Sequence, residues 1–156
     1  MVKLSKRIEY ALLAVQEMAR QPETIVSAKD IADRFDISFT LLAKVLQQLV
    51  HAGYVRSYHG VHGGYELAVA SDRLSVADVI VAVDGRKSAL VECQDQDNEH
   101  TCSTHGTCTI REPLAVLQER IMLAFTSMTV QELAQPSQEF AQPIMLVSLS
   151  FSETNS

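Results

Sequence analysis

Residues 27–69 read SAKDIADRFDISFTLLAKVLQQLVHAGYVRSYHGVHGGYELAV, and their pattern decides the fold. Ser27 is a helix cap, with Asp30 three residues on as a variant capping box. Ile31, Ala32 and Phe35 are the apolar side of a short helix that stops at Asp36-Ile37-Ser38. Leu42, Val45, Leu46 and Leu49 then recur at helical spacing, and Gly53 stands where a left-handed cap is usual. Two short helices joined by a few residues, the later one carrying exposed polar groups, read as a helix-turn-helix; a plain helical hairpin is the alternative. Tyr54-Val55-Arg56-Ser57 reads as a strand, His59-Gly60-Val61-His62-Gly63-Gly64 as a turn, and the alternation of Tyr65, Leu67 and Val69 as a second strand. A hairpin directly behind a helix-turn-helix is a wing. Its glycines allow backbone to approach a phosphate or enter a minor groove.

Upstream, Ile8, Ala11, Leu12, Val15, Met18 and Ala19 mark one face of a first helix, capped by Ser5 and broken at Gln21-Pro22-Glu23. Downstream, Ser75 and Asp78 make a capping box for a helix that buries Val76, Val79, Ile80 and Val83 and ends at Asp84-Gly85. Residues 86–108 show no period. Thr109 and Glu112 are expected to box the next helix, with Pro113 tolerable in its first turn. Leu114, Leu117, Ile121, Ala124 and Met128 form a coiled-coil seam along it. Such a seam wants a partner, most simply a second copy of the chain; packing into its own domain is the alternative. Thr129 with Glu132 caps one more short helix before Pro136, and Ile144-Met145-Leu146-Val147 is a strand or an irregular tail. The fold class is therefore mainly α with a small β-wing: a winged helix-turn-helix over residues 1–70, a cysteine loop and dimerisation helices over 71–135, and a C-terminal tail over 136–156.

With 156 residues, 47% hydrophobic and 21% charged, the chain can bury a core of its own. No apolar run reaches the roughly 18 residues of a membrane span, and Glu9, Gln16 and Glu17 interrupt the stretch behind the basic N-terminus. The expectation is a cytoplasmic protein with no membrane partner. The net charge of −6 argues against nucleic acid, but its distribution does not. Residues 1–66 carry a net +1 and residues 67–156 a net −7, four of the acids being Glu92, Asp95, Asp97 and Glu99. A DNA-binding first half stays open. No nucleophile–base pair or glycine-rich phosphate loop suggests an enzyme.

Ser38, Thr40, Lys44 and Gln47 fall on the exposed side of the third helix. Lys44 suits a phosphate and Gln47 a base edge. Arg56, His59, His62 and Gly63 surround the wing, where an arginine or histidine can enter a narrow minor groove; the histidines as plain turn residues are the other reading.

The three cysteines, Cys93, Cys102 and Cys108, lie within sixteen residues. An odd, clustered set in a cytosolic chain is a poor disulfide framework and a better metal or redox site. Iron–sulfur, zinc and a metal-free thiol switch all fit these thiols. His105, between the last two cysteines, and His100 are possible in-loop ligands.

The order of parts resembles the Rrf-type (BadM/IscR/NsrR-like) bacterial transcription regulators. The residues that carry the likeness are Lys3-Leu4-Ser5, the wing ending Gly63-Gly64-Tyr65-Glu66-Leu67, the helix Leu74-Ser75-Val76-Ala77-Asp78-Val79-Ile80, the three-cysteine loop and the long helix behind it. The resemblance implies a homodimer with crossing long helices that binds double-stranded DNA. It also implies a cluster-binding loop, where Cys93, Cys102 and Cys108 would hold an iron–sulfur cluster, 2Fe–2S or 4Fe–4S, that controls DNA affinity. Glu9 matches the first-helix carboxylate that members donate across the dimer, which makes it a ligand candidate from the other subunit, ahead of His105. Three departures stand out. Eight residues separate Cys93 from Cys102, more than usual; Arg111 stands where one member has a histidine ligand; and Ala43 replaces a glutamate of that member's recognition helix. A DNA-binding transcription regulator, acting as a repressor, is the reading; a zinc-bound or cluster-free thiol-switch regulator is the alternative. An electron-transfer or cluster-carrier protein, of a different class, would leave the winged helix without a use.

Overall fold

The computed structural model describes residues 4–85 and 109–135. Helix α1 (Lys6–Arg20) starts at Ser5, whose hydroxyl accepts the Ile8 amide at 3.3 Å. Its inner face is Ile8, Ala11, Ala14, Val15 and Met18, all buried. Helix α2 (Ala28–Phe35) is capped by Ser27, which accepts from the amides of Lys29 and Asp30, and it ends on Asp36 in the left-handed region at φ 51°. Helix α3 (Phe39–His51) follows from its Ser38 cap and places Leu42, Val45, Leu46 and Leu49 at zero exposure.

Strands β1 (Val55–Tyr58) and β2 (Gly64–Leu67) form the antiparallel hairpin, with Arg56 opposite Glu66 and Tyr58 opposite Gly64. Val69 falls outside the strand. The hairpin is pinned to the head by Val26, which exchanges two backbone hydrogen bonds with Tyr65 at 2.8 and 2.9 Å. Gly64 is obligatory at that seam, because a Cβ there would sit 2.6 Å from the Val26 carbonyl oxygen.

Helix α4 (Val76–Asp84) carries the complete Ser75–Asp78 capping box. Helix α5 (Arg111–Ser127) has its cap at Ile110, one residue beyond the expected Thr109, with no side-chain cap bond. Proline explains the shift. A helix capped at Thr109 would need the amide of Pro113 to bond the Thr109 carbonyl, and proline has none. With Ile110 at the cap that role falls to Leu114, whose amide donates to the Ile110 carbonyl at 2.9 Å. Helix α6 (Val130–Ala134) has the full Thr129–Glu132 box.

The main core joins Ala11, Ala14, Val15 and Met18 of α1 to Ile31, Leu42, Val45, Leu46 and Leu49, and also to Leu74, Val79, Val83 and Val130. It thus runs past residue 70 into α4 and α6. The end of α5 is stapled to the start of α4: Val76 donates to the Met128 carbonyl at 2.9 Å and Val130 to that of Leu74 at 2.8 Å. Phe125 and Met128 pack onto a smaller cluster of Ile8, Val76 and Ile80. The rest of α5 has no buried residue; Leu117 is 46% and Leu123 66% exposed.

Candidate nucleic-acid interface

Helix α3 buries one side and turns the other outward because its apolar residues occupy a single stripe. Thr40, Lys44, Gln47 and His51, at steps of four, three and four, form the opposite stripe, and all are exposed. Lys44 has no ion-pair partner among the described residues. His51 is oriented by its own helix, with Nδ1 2.8 Å from the Gln47 carbonyl oxygen. Ser38 is exposed at the head of the helix, and its Oγ accepts the Leu41 amide at 3.4 Å.

Beside this stripe α1 contributes a residue that sequence reading passed over. The Arg7 guanidinium donates to Gln48 Oε1 at 3.0 Å and to the Val83 carbonyl at 2.8 Å, and lies 3.8 Å from Asp84 Oδ1. Gln48 Nε2 reaches the same Val83 carbonyl at 3.3 Å. One node therefore ties the first helix, the third helix and the last turn of α4, just ahead of the cysteine segment. Arg7, Leu41, Lys44, Gln47, Gln48 and His51 line a groove of about 480 Å³. The hint in the sequence was weak, since an arginine in a first turn has many uses.

On the wing, Arg56 is not a free cation. It pairs across the hairpin with Glu66 at 2.9 Å, and the Tyr58 hydroxyl donates to the same carboxylate oxygen at 2.5 Å. Tyr58 first, then Glu66, push the guanidinium above its ordinary value. Arg56 Nη1 and Tyr58 Oη share one acceptor, which braces the wing. At the tip His59, Gly60, Val61 and His62 are exposed, Val61 at 98%. Gly63 is needed by the turn itself. A Cβ there would lie 2.5 Å from the Tyr58 carbonyl oxygen and 2.9 Å from that of Gly60.

Glu9 lies on α1 with its carboxylate 37% exposed and held by Lys6 of the same helix. That contact raises the Lys6 ammonium, chiefly through the hydrogen bond from it to Glu9. Cys93, Cys102, Cys108, His100 and His105 lie outside the described residues, as does Ile144-Met145-Leu146-Val147. Among the described residues no three histidine, cysteine, aspartate or glutamate side chains gather in one place. A second residue escaped the sequence reading. Glu17 is 2% exposed, held by Arg34 and by the Gln21 amide, and its Oε2 has no partner. Its position three residues after Ala14 and one before Met18 put it on the apolar face all along.

An exposed polar stripe on the second helix of a helix-turn-helix, with a braced hairpin next to it, is the architecture of a winged-helix DNA reader. The profile of the Rrf2 family, described as an iron-dependent transcriptional regulator, matches residues 4–136. The chain belongs to the Rrf2 family. The putative HTH-type transcriptional regulator BadM of Rhodopseudomonas palustris is 38% identical over 104 residues, 67% of each chain. The HTH-type transcriptional repressor NsrR of Streptomyces coelicolor is 26% identical over 134 residues, 85% of this chain and 88% of its own. Among solved structures, CymR, described as the global cysteine regulator of B. subtilis, superposes with a TM-score of 0.68 at 25% identity, covering 86% of this chain and 97% of its own. This Rrf2 protein is thus a winged-helix transcriptional regulator, as the resemblance in its sequence implied. No helix among the described residues is long and apolar enough to cross a membrane.

Proposed function

We propose that this chain is a cytoplasmic, homodimeric repressor that binds double-stranded DNA through α3 and the wing, with an iron–sulfur cluster setting its affinity. The exposed Thr40–Lys44–Gln47 stripe, beside a groove with Arg7 at its edge, carries the DNA reading. Lys44 contacts phosphate, Gln47 a base edge, and Ser38 and Thr40 contact the backbone near the helix start. His59, His62 and the Gly63 turn enter the adjoining groove, and Arg56 acts mainly by holding the wing straight. The NsrR relative supports repression. Helix α5, with Leu117 and Leu123 uncovered, supports the dimer.

The donor chemistry fits an iron–sulfur cluster. Cys93, Cys102 and Cys108 offer three soft thiolates in one segment, and the half-exposed Glu9, bound only to Lys6 of its own helix among the described residues, is free to turn toward a partner subunit. His105 is the lesser candidate for the remaining ligand. The cluster, when bound, supplies a site that reacts with oxidants or nitric oxide. The protein's part is to hold it and to link the cysteine segment to the reading helix. The iron-dependent description of the family supports this reading. The likeness to a global cysteine regulator favours a second one, in which the same thiols act without a cluster or bind zinc.

Iron, sulfide and zinc counted on protein purified without oxygen separate these. Iron and sulfide in matching amounts with visible absorption support the cluster; colourless, iron-free protein that still binds DNA sinks it. Glu9→Ala should alter the absorption and loosen control of DNA binding, while His105→Ala leaves both unchanged. The reverse result would place the whole ligand set in one loop. DNA affinity should fall with salt, each phosphate contact adding about −0.9 to the log–log slope, and Lys44→Ala should remove about one such step.

A further inference from the structure

Helix α3 has an apolar corner that its own core does not use. Phe39, the first helical residue after the Ser38 cap, is 53% exposed. Phe35 and Phe125, by contrast, are packed against the two core clusters. At about 100° per residue, Phe39 lies on one flank of the Thr40–Lys44–Gln47 stripe, and Leu41 and Gln48, next to Arg7, lie on the other. Ala43 stands one turn behind Phe39 on the same flank and is half-buried. The two flanks therefore differ in chemistry. One carries the partly buried Leu41 beside the polar Gln48 and the cationic Arg7. The other is a phenyl ring with a bare methyl beside it, at i and i+4.

A recognition helix presents its N-terminal residues to the base edges of the major groove. There, the one apolar group that projects into the groove is the C5-methyl of thymine, which alanine and phenylalanine side chains contact. Cytosine has only a C5–H in its place, and adenine and guanine present mainly donors and acceptors along that edge. Against them the Phe39 ring would strip water from polar atoms and return no hydrogen bond, which is unfavourable. The small Ala43 leaves space for the methyl to enter between ring and helix; any longer side chain at 43 would fill it.

We propose that Phe39, with Ala43 behind it, is a specificity-determining residue that reads a thymine methyl in each half-site. This rests on α3 being the DNA-reading helix.

The test starts from duplexes that the full-length wild-type chain enriches from a random pool. Each thymine is then replaced singly by deoxyuridine, which deletes one methyl and alters no base-pairing group. At one position per half-site, deoxyuridine should weaken wild-type binding about three- to five-fold, the value of one buried methyl-sized group. Phe39→Ala should weaken the thymine duplex by a similar factor or more and then be indifferent to deoxyuridine there. Phe39→Leu, still apolar, should retain part of the discrimination. At that position 5-methylcytosine should be tolerated better than cytosine. The urea midpoint of each variant reports folding separately. If Phe39→Ala loses affinity but keeps the full deoxyuridine effect, the ring packs on sugar and the proposal is overturned. It is overturned equally if no thymine is sensitive while Lys44→Ala still lowers the salt slope, an outcome that leaves the DNA reading standing. Should the wild type enrich no sequence at all, the DNA reading falls and this inference with it.

Discussion

Helices α3 and α5, thirteen and seventeen residues long, dispose of their apolar residues in opposite ways. In α3, four aliphatic residues have zero exposure, and the outward stripe is polar, with Phe39 at its flank. In α5 no residue is buried; only Phe125 and Met128, at its end, touch the rest of the described chain's apolar clusters. The apolar stripe of α3 is completed by α1 and α4 of its own chain. Apart from Phe125 and Met128, the apolar residues of α5 join no cluster of the described residues, and a helix with this much apolar surface in water gains from association. The reading helix is thus closed within its own chain, while most of α5 leaves its apolar residues open.

The largest effect is expected at α5. On the proposed dimer, Leu117→Glu combined with Leu123→Glu should leave the head folded and give a monomer in sedimentation, since both side chains are about half or more exposed in the single chain. A dimer that survives the pair would show that these residues do not form the interface. In α3, Leu49→Ala should lower unfolding free energy by about 2–5 kcal/mol, read from urea titration, because the site is fully enclosed and cannot collapse freely. An effect as small as that of a single α5 substitution, Leu123→Ala, would erase the distinction between the two helices.

A smaller loss, about 1–3 kcal/mol, is expected from Arg34→Ala, which takes the cation from the buried Glu17 and leaves it the Gln21 amide alone. Glu17→Gln in that background should recover much of it; no recovery would mean that Arg34 matters for packing on Phe35 instead. The slightest effect concerns the cap of α6. The Thr129 amide first, and then its hydroxyl, hold the Glu132 carboxyl below its ordinary value. A carboxyl with a depressed folded value stabilises the protein above its unfolded pKa, and that contribution fades as pH drops through the lowered value. Glu132→Gln should therefore flatten the loss of stability as pH falls below the ordinary glutamate value, about 4.3. An unchanged acid limb would remove Glu132 from the account.

Much of this molecule was legible in its sequence because the signals were local. Ser5, Ser27, Ser75 and Thr129 each cap the helix behind them, and Gly53 takes its left-handed turn at φ 79°. The four aliphatic residues of α3 were readable from spacing alone. The Thr109 cap misled because Pro113 lies four residues on, and its missing amide moves the helix start to Arg111. Arg56 looked like a free wing cation until the hairpin register set Glu66 opposite it.

The order of elements, their caps and their apolar faces were determined by the sequence itself, together with the three clustered cysteines. These depend on neighbours within one or two turns, where spacing and backbone chemistry act directly. The meeting of long-range partners, by contrast, is set by the folded arrangement. Arg7 reaches Val83 across 76 positions, Arg34 closes over Glu17 across 17, and Val130 enters the core of the reading head from the far end of the described chain. Such contacts depend on how the helices cross, and no local periodicity encodes a crossing.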